Sequence, residues 1–212
     1  PDVQAPQNPY LKDPAYANLP SSRGFEGLAL SIDGTKLYPI LEGALATDRD
    51  QTRRIIYEFD LATKSYTEKR FFYKVEAPNH SIADFIAINE NEFLVNERDG
   101  TKGDLNGFKR VFKIDLRDSD QDGFVDKEEI VNLLNIADPN LISLPGEPGD
   151  IGLGDPFAFP HECIENVVII DSSTLGLLND NNYPFSTDRN PGKPDDTEFI
   201  LIRLSDELTV AK

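Results

Sequence analysis

The chain has no tryptophan, no methionine, a single cysteine and only two histidines. With Cys163 alone, no internal disulfide can form, so nothing covalent staples the fold. Its setting, CIENVVII, is that of a small core residue rather than a reactive thiol. His80 and His161 each follow a proline-containing loop and lack zinc-type spacing. Each is either a structural side chain or an acid–base group near a rim. No apolar run approaches the roughly 18 residues of a membrane span. Neither a Gly-x-Ser-x-Gly elbow nor a glycine-rich phosphate loop ending in Lys-Ser/Thr is present. Positive charge is also scarce: 21 basic against 38 acidic residues give a net charge of −17. Such an excess repels nucleic acid and anionic membranes, and it suits multivalent cations.

What the sequence does contain is short strands. Its 212 residues suit one large domain or two small ones. Residues 1–23, with five prolines and weak periodicity, read as an irregular arm, and the folded portion runs over 24–212. The start at Pro1 reads as processed, cleaved or truncated. From Gly24 onward three stretches line up. They are EGLALSIDGTKLYPILEG followed by RRIIYEFDL, DFIAINENEFLVNERDG followed by KRVFKIDL, and ENVVIIDSSTLGLLNDNN followed by EFILIRL. Each reads as strand, polar turn, strand, variable loop, strand, and SYTEKRFFYKV adds a fourth strand to the first. Repeated sheets of this kind predict an all-β fold, a β-propeller with about three to four blades visible. A further chain or a missing segment would then complete the ring. A β-sandwich is the rival architecture.

Each unit opens on an acid and closes on another: Glu26 with Glu42, Asp84 with Glu97, and Glu165 with Asp180. The start of one strand and the end of the next lie at the same end of a hairpin, so all six carboxylates are expected at one mouth. Crowded carboxylates raise one another's pKa unless a cation compensates, which predicts either a metal or acids tuned for proton transfer. Arg98, in NERDG, is the candidate for binding a phosphate or carboxylate, or for pairing with a rim acid. The Pro- and Gly-dense segments 138–160 and 183–197 are long enough to wall a pocket.

One stretch predicts a metal by itself. DSDQDGFVDKEE, residues 118–129, places Asp118, Asp120, Asp122, the Phe124 carbonyl, Asp126 and Glu129 at positions 1, 3, 5, 7, 9 and 12 of an EF-hand-like calcium loop. Gly123 occupies the turn position. The preceding FKRVFKIDL reads as a strand, and the following EEIVNLLNIAD has helical spacing through Ile130, Leu133 and Leu134. A single loop between a strand and a short helix suits a structural Ca2+ clip rather than a sensor. Calcium supply in turn predicts an extracytoplasmic, secreted or periplasmic, location.

The segments RGFEGLALSIDGTKLYPILEG, SIADFIAINENEFLVNERDG, KRVFKIDL, IENVVIIDSSTLGLLNDNNYPF and DDTEFILIRL together resemble the phytase-like domain, described as "esterase-like activity of phytase". The resemblance covers most of residues 23–205. It implies a propeller-like fold and phosphoester hydrolysis served by the acids matching Glu26, Asp84, Glu97, Glu165 and Asp180. The expected activity is therefore metal-assisted hydrolysis of a small phosphorylated substrate. A non-catalytic, calcium-stabilised binding or scaffold propeller is the alternative, and lactone hydrolysis stands on analogy with other metal-centred propellers.

Overall fold

The computed structural model describes residues 3–211. It contains eleven strands and, among the described residues, no helix beyond a 3-10 turn at Pro14–Tyr16. Blade 1 comprises β1 (Phe25–Leu30), β2 (Lys36–Leu41), β3 (Arg53–Asp60) and β4 (Ser65–Lys74), and blade 2 comprises β5 (Ser81–Ala87), β6 (Glu92–Arg98), β7 (Lys109–Asp115) and β8 (Asp126–Asn132). Blade 3 has three strands, β9 (Ile164–Asp171), β10 (Thr174–Asn179) and β11 (Phe199–Arg203). Each blade is an antiparallel meander in chain order. Local chemistry sets the turns. Between β1 and β2, Asp33 accepts hydrogen bonds from the Ser31 hydroxyl and the Thr35 amide, and Gly34 takes the left-handed conformation (φ +69°) that closes the hairpin.

The first strands of the blades lie side by side, β1 against β5 and β5 against β9. This is the blade arrangement of a propeller, here an open run of three sheets. The approach is closest at Gly27: a Cβ there would lie 2.7 Å from Phe85 Cβ and 3.0 Å from the Phe85 amide nitrogen.

The middle blade is covered on both faces. Phe85, Phe93 and Val95 pack toward blade 1 with Ile40, Ile56 and Tyr73. Leu94, Val111 and Val131 pack toward blade 3 with Ile164, Leu175 and Leu177. Strand β6 is accordingly buried through its whole middle, whereas the outer blades each leave an apolar face exposed. Leu28 and Leu30 do so on β1, and Val168, Ile170, Phe199 and Leu201 on blade 3.

The segment expected to be a helix after the acidic loop is β8 as far as Asn132, and Leu133 and Leu134 follow in a turn. It pairs with β7, and residue Ile130 is an extra residue between the partners of Val111 and Phe112. That bulge interrupts the period-two alternation and mimics helical spacing. The open edge of β7 offers hydrogen bonds along the whole segment, and this long-range pairing overrides the local pattern.

The tight contact at Gly27 gives a direct test. Gly27→Ala is expected to destabilise the chain by roughly 1–3 kcal/mol through overpacking. Gly24→Ala, where a Cβ meets nothing within 4 Å, is expected to change little. Urea unfolding of both variants, with equal losses, would contradict this account.

Candidate functional site

The hairpin registers decide which acids share a mouth. The first strand of every blade carries one extra residue near its start. Phe25 and Gly27 face Leu41 and Ile40, Ile82 and Asp84 face Glu97 and Asn96, and Ile164 and Asn166 face Asn179 and Leu178. The bulged residues are therefore Glu26, Ala83 and Glu165. The residues that follow the partners Leu41, Glu97 and Asn179 are Glu42, Arg98 and Asp180. Blade 2 thus contributes an arginine where the other blades contribute an acid, and the sequence pairing of Asp84 with Glu97 is one residue out of step.

Arg98 sits among these acids. Its Nη2 donates to Glu165 Oε1 at 3.2 Å, its side chain is largely buried, and its Nε has no hydrogen-bond partner. Burial raises the pKa of Glu26, repulsion from Glu42 and Glu165 adds to this, and Arg98 opposes it. Glu165 is raised as well, by burial and by Asp180, again against the pull of Arg98. Glu42 is held by Arg23 at 3.1 Å. Beside the rim, a cavity of about 330 Å³ is lined by Arg98, Lys102, Glu162, Cys163, Asn182, Phe185 and Ser186. Lys102 pairs with Glu162 there at 2.8 Å.

The other two predicted rim acids serve the blade interfaces. Asp84 accepts hydrogen bonds from its neighbour Phe85 and, across to β9, from the Val167 amide, the latter at 2.8 Å. Burial raises its pKa. Asn96 adds a second tie to β9, donating to the Ile164 carbonyl at 2.6 Å. Glu97 has no exposure. It accepts from the Tyr73 hydroxyl at 2.5 Å, from the Glu76 amide at 2.8 Å, and contacts His80 Nδ1 at 2.7 Å and Lys127 Nζ at 2.8 Å. Burial alone would raise its pKa, but His80, Lys127 and Tyr73 together hold it below the ordinary glutamate value. His80 is thus a buried partner of Glu97, its ring tilted by 33° against that of Phe108. Asp99, from NERDG, is held by the buried Lys109 at 2.7 Å, with a pKa of about 2.

The acidic loop is a hairpin connection between β7 and β8. Asp118, Asp120 and Asp126 offer oxygens within 4.8 Å of one another, a grouping that can hold a metal ion. Oδ1 of Asp118 is buried and has no partner. Gly123 has the expected positive φ, +91°. Asp122 accepts from the Phe124 amide at 2.8 Å. Glu129 lies within β8 opposite Phe112 and pairs with Arg110 at 3.3 Å, so it stands outside the grouping. Because the last four loop positions form a strand, the terminal glutamate is carried along the sheet instead of folding back over the ion position.

The two long segments, 138–160 and 183–197, wall a second cavity of about 610 Å³ against the exposed face of β11, with Asp138, Phe157, Arg189, Asp195, Glu198 and Leu201 in its lining. Segment 183–197 turns inward and buries Asp188, Arg189, Asn190 and Asp195. The hint in the sequence is the presence of Asp188, Arg189, Asp195 and Asp196 among its prolines and glycine.

Residues 1–183 match the family model described as "Esterase-like activity of phytase". The chain belongs to the phytase-like family. No curated protein matches it. A solved structure titled "Luciferin-regenerating enzyme" is similar at 15% identity, covering 88% of this chain and 47% of that one, with a TM-score of 0.44. This phytase-like chain therefore spans about half the length of that protein, 47%.

Glu97 gives this site its prediction. With its folded pKa depressed, its contribution to stability is complete above the ordinary carboxylate value of about 4.3 and is lost as pH falls through the lower folded value. Glu97→Gln removes the buried carboxylate that His80, Tyr73 and Lys127 share, leaving Lys127 only the Glu76 carboxylate at 2.8 Å, and is expected to cost about 3 kcal/mol or more at pH 7. The acid limb of its stability profile is expected to flatten. Denaturant melts from pH 3 to 8 measure both, and an unchanged acid limb would refute the assignment.

Proposed function

We propose that this phytase-like chain is an extracytoplasmic hydrolase of phosphate esters that works with a divalent cation, and that Ca2+ at the 118–126 loop stiffens blade 2. The observation that carries the hydrolase reading is Arg98: a buried guanidinium on a cavity wall, with an unpartnered Nε and two pKa-raised carboxyls beside it. A guanidinium fork matches phosphate oxygens, and Lys102 lines the same cavity as a second cation. Among the described residues, no grouping of three ligands within 4.8 Å includes a rim acid. In this reading the rim carboxylates Glu42 and Asp180 would hold the cation beside the phosphate. When bound, it would supply charge neutralisation of the phosphate and a water activated for attack on phosphorus. The leaving alcohol oxygen takes its proton from Glu26, whose pKa is raised first by burial and further by Glu42 and Glu165. The exposed apolar faces of β1 and blade 3 are where a further chain or segment completing the ring would pack.

The same absence of a tight ligand grouping at the rim supports the second reading, a binding or scaffold propeller without chemistry. Turnover decides between them. With calcium present, phosphomonoesters, phosphodiesters and phytate are the substrates to assay. Hydrolysis of at least one is expected, falling by about 100-fold or more in Glu26→Gln and Arg98→Ala at unchanged melting temperature. No turnover above the Arg98→Ala background on any of them would leave the scaffold reading standing.

Calcium is expected to raise the melting temperature, by about 2.7 kcal/mol of stabilisation at a hundredfold excess over its dissociation constant. Asp118→Ala is expected to abolish that rise. A calcium shift that persists in Asp118→Ala would place the ion elsewhere.

A further inference from the structure

Outside the rim, a second group of ligand-type side chains is fully enclosed. His161 ends the 138–160 segment and leads into β9, while Asp188 and Asp195 come from the 183–197 segment. Their exposures are 1%, 2% and 3%. One ligand atom from each lies within 4.8 Å of the others.

The polar groups here do not satisfy one another. Asp188 Oδ2 accepts from the Glu162 amide at 2.6 Å, but its Oδ1 is buried with no partner. Asp195 accepts from the amides of Asp188 and Arg189 at 2.8 and 2.9 Å. His161 Nδ1 lies 3.4 Å from Asp195 Oδ2, and its Nε2 lies 3.3 Å from Glu198 Oε1. Neither contact is aligned as a hydrogen bond, so both ring nitrogens are buried and unpartnered. Native interiors rarely leave three such atoms together without a missing partner.

The geometry points to a divalent transition-metal ion of the zinc type, held by His161 Nδ1, Asp188 Oδ1 and Asp195 Oδ2. Two ligands each about 2.0–2.1 Å from a tetrahedral ion stand about 3.3–3.4 Å apart, the His161–Asp195 separation seen here. One imidazole with two carboxylates is a borderline donor set, which favours zinc-like ions over calcium. The other ring nitrogen faces Glu198, and Arg189 grips that carboxylate at 2.8 and 2.7 Å. A metal-binding histidine characteristically donates its second N–H to a fixed carboxylate of this kind. Two positive charges would neutralise two carboxylates sharing one dry space. The ion would also lock together the two segments that wall the 610 Å³ cavity. This assignment is independent of the hydrolase reading of the rim.

The alternative occupant of this space is a proton, with His161 as an imidazolium between Asp195 and Glu198. Metal-stripped protein carrying Asp118→Ala, so that the acidic loop does not contribute, can be titrated with Co2+ and Zn2+. One equivalent of Co2+ is expected, with the intense visible absorption of a four-coordinate site, displaced by Zn2+ and lost in Asp188→Asn. Should Asp188→Asn not fold, the imidazole 15N resonances of the Asp118→Ala protein decide, since only two histidines contribute. Zn2+ is expected to shift the Nδ1 resonance of His161. Absence of cobalt absorption, its survival in folded Asp188→Asn, or His161 resonances indifferent to Zn2+ would each overturn the site.

Discussion

The packing of the inner strands is the constraint from which the rest follows. β1, β5 and β9 lie directly against one another, close enough at Gly27 to exclude even a methyl group. Strands that approach so closely cannot place long side chains between their backbones. Each therefore carries a bulge near its start, and the bulge re-aims one side chain toward the mouth. Glu26 and Glu165 reach the rim by this device, and Ala83 marks the blade where the device carries no charge. The arginine then enters through the neighbouring position, Arg98, and places a cation beside Glu26 and Glu165.

The blade interfaces use the remaining charge differently. Glu97, His80, Tyr73 and Lys127 form a closed network between blades 1 and 2, while Asp84 and Asn96 tie blade 2 to β9. Each of these groups is buried or half-buried and has specific partners, so they fix how one blade sits on the next where apolar packing alone would let the sheets slide. The chain thus divides its acids by environment. Those with fixed donors hold the architecture, and those with partial compensation stand at the mouth with raised pKa values.

Much of this was legible in the residues. Hairpin turns such as SIDGT and the alternating runs around them located the strands, and the repetition of whole units indicated blades. The acidic run at 118–126 was legible as a metal grouping because its members are near neighbours in sequence. The failures share one cause. A bulge inserts a residue into a period-two pattern. In β5 the bulged residue is Ala83, so the first acid of the unit, Asp84, was aligned with the bulged glutamates of the other blades, and in β8 the bulge made a strand resemble a helix. Glu129 stands apart from the Asp118, Asp120 and Asp126 grouping because the last loop positions run on as β8.

The sequence by itself determined the strands, the turns, the charge excess and the family, because these depend on residues within one hairpin of each other. Only the tertiary structure decided which acids meet. Asp84 finds its partner amide at Val167, and Asp188 finds its own at Glu162 on a separate segment. Side-chain direction in a strand reverses with every residue, so a single bulge changes which face an acid occupies. Burial, which sets whether that acid is neutralised, paired or left for chemistry, is a property of the packed blades alone.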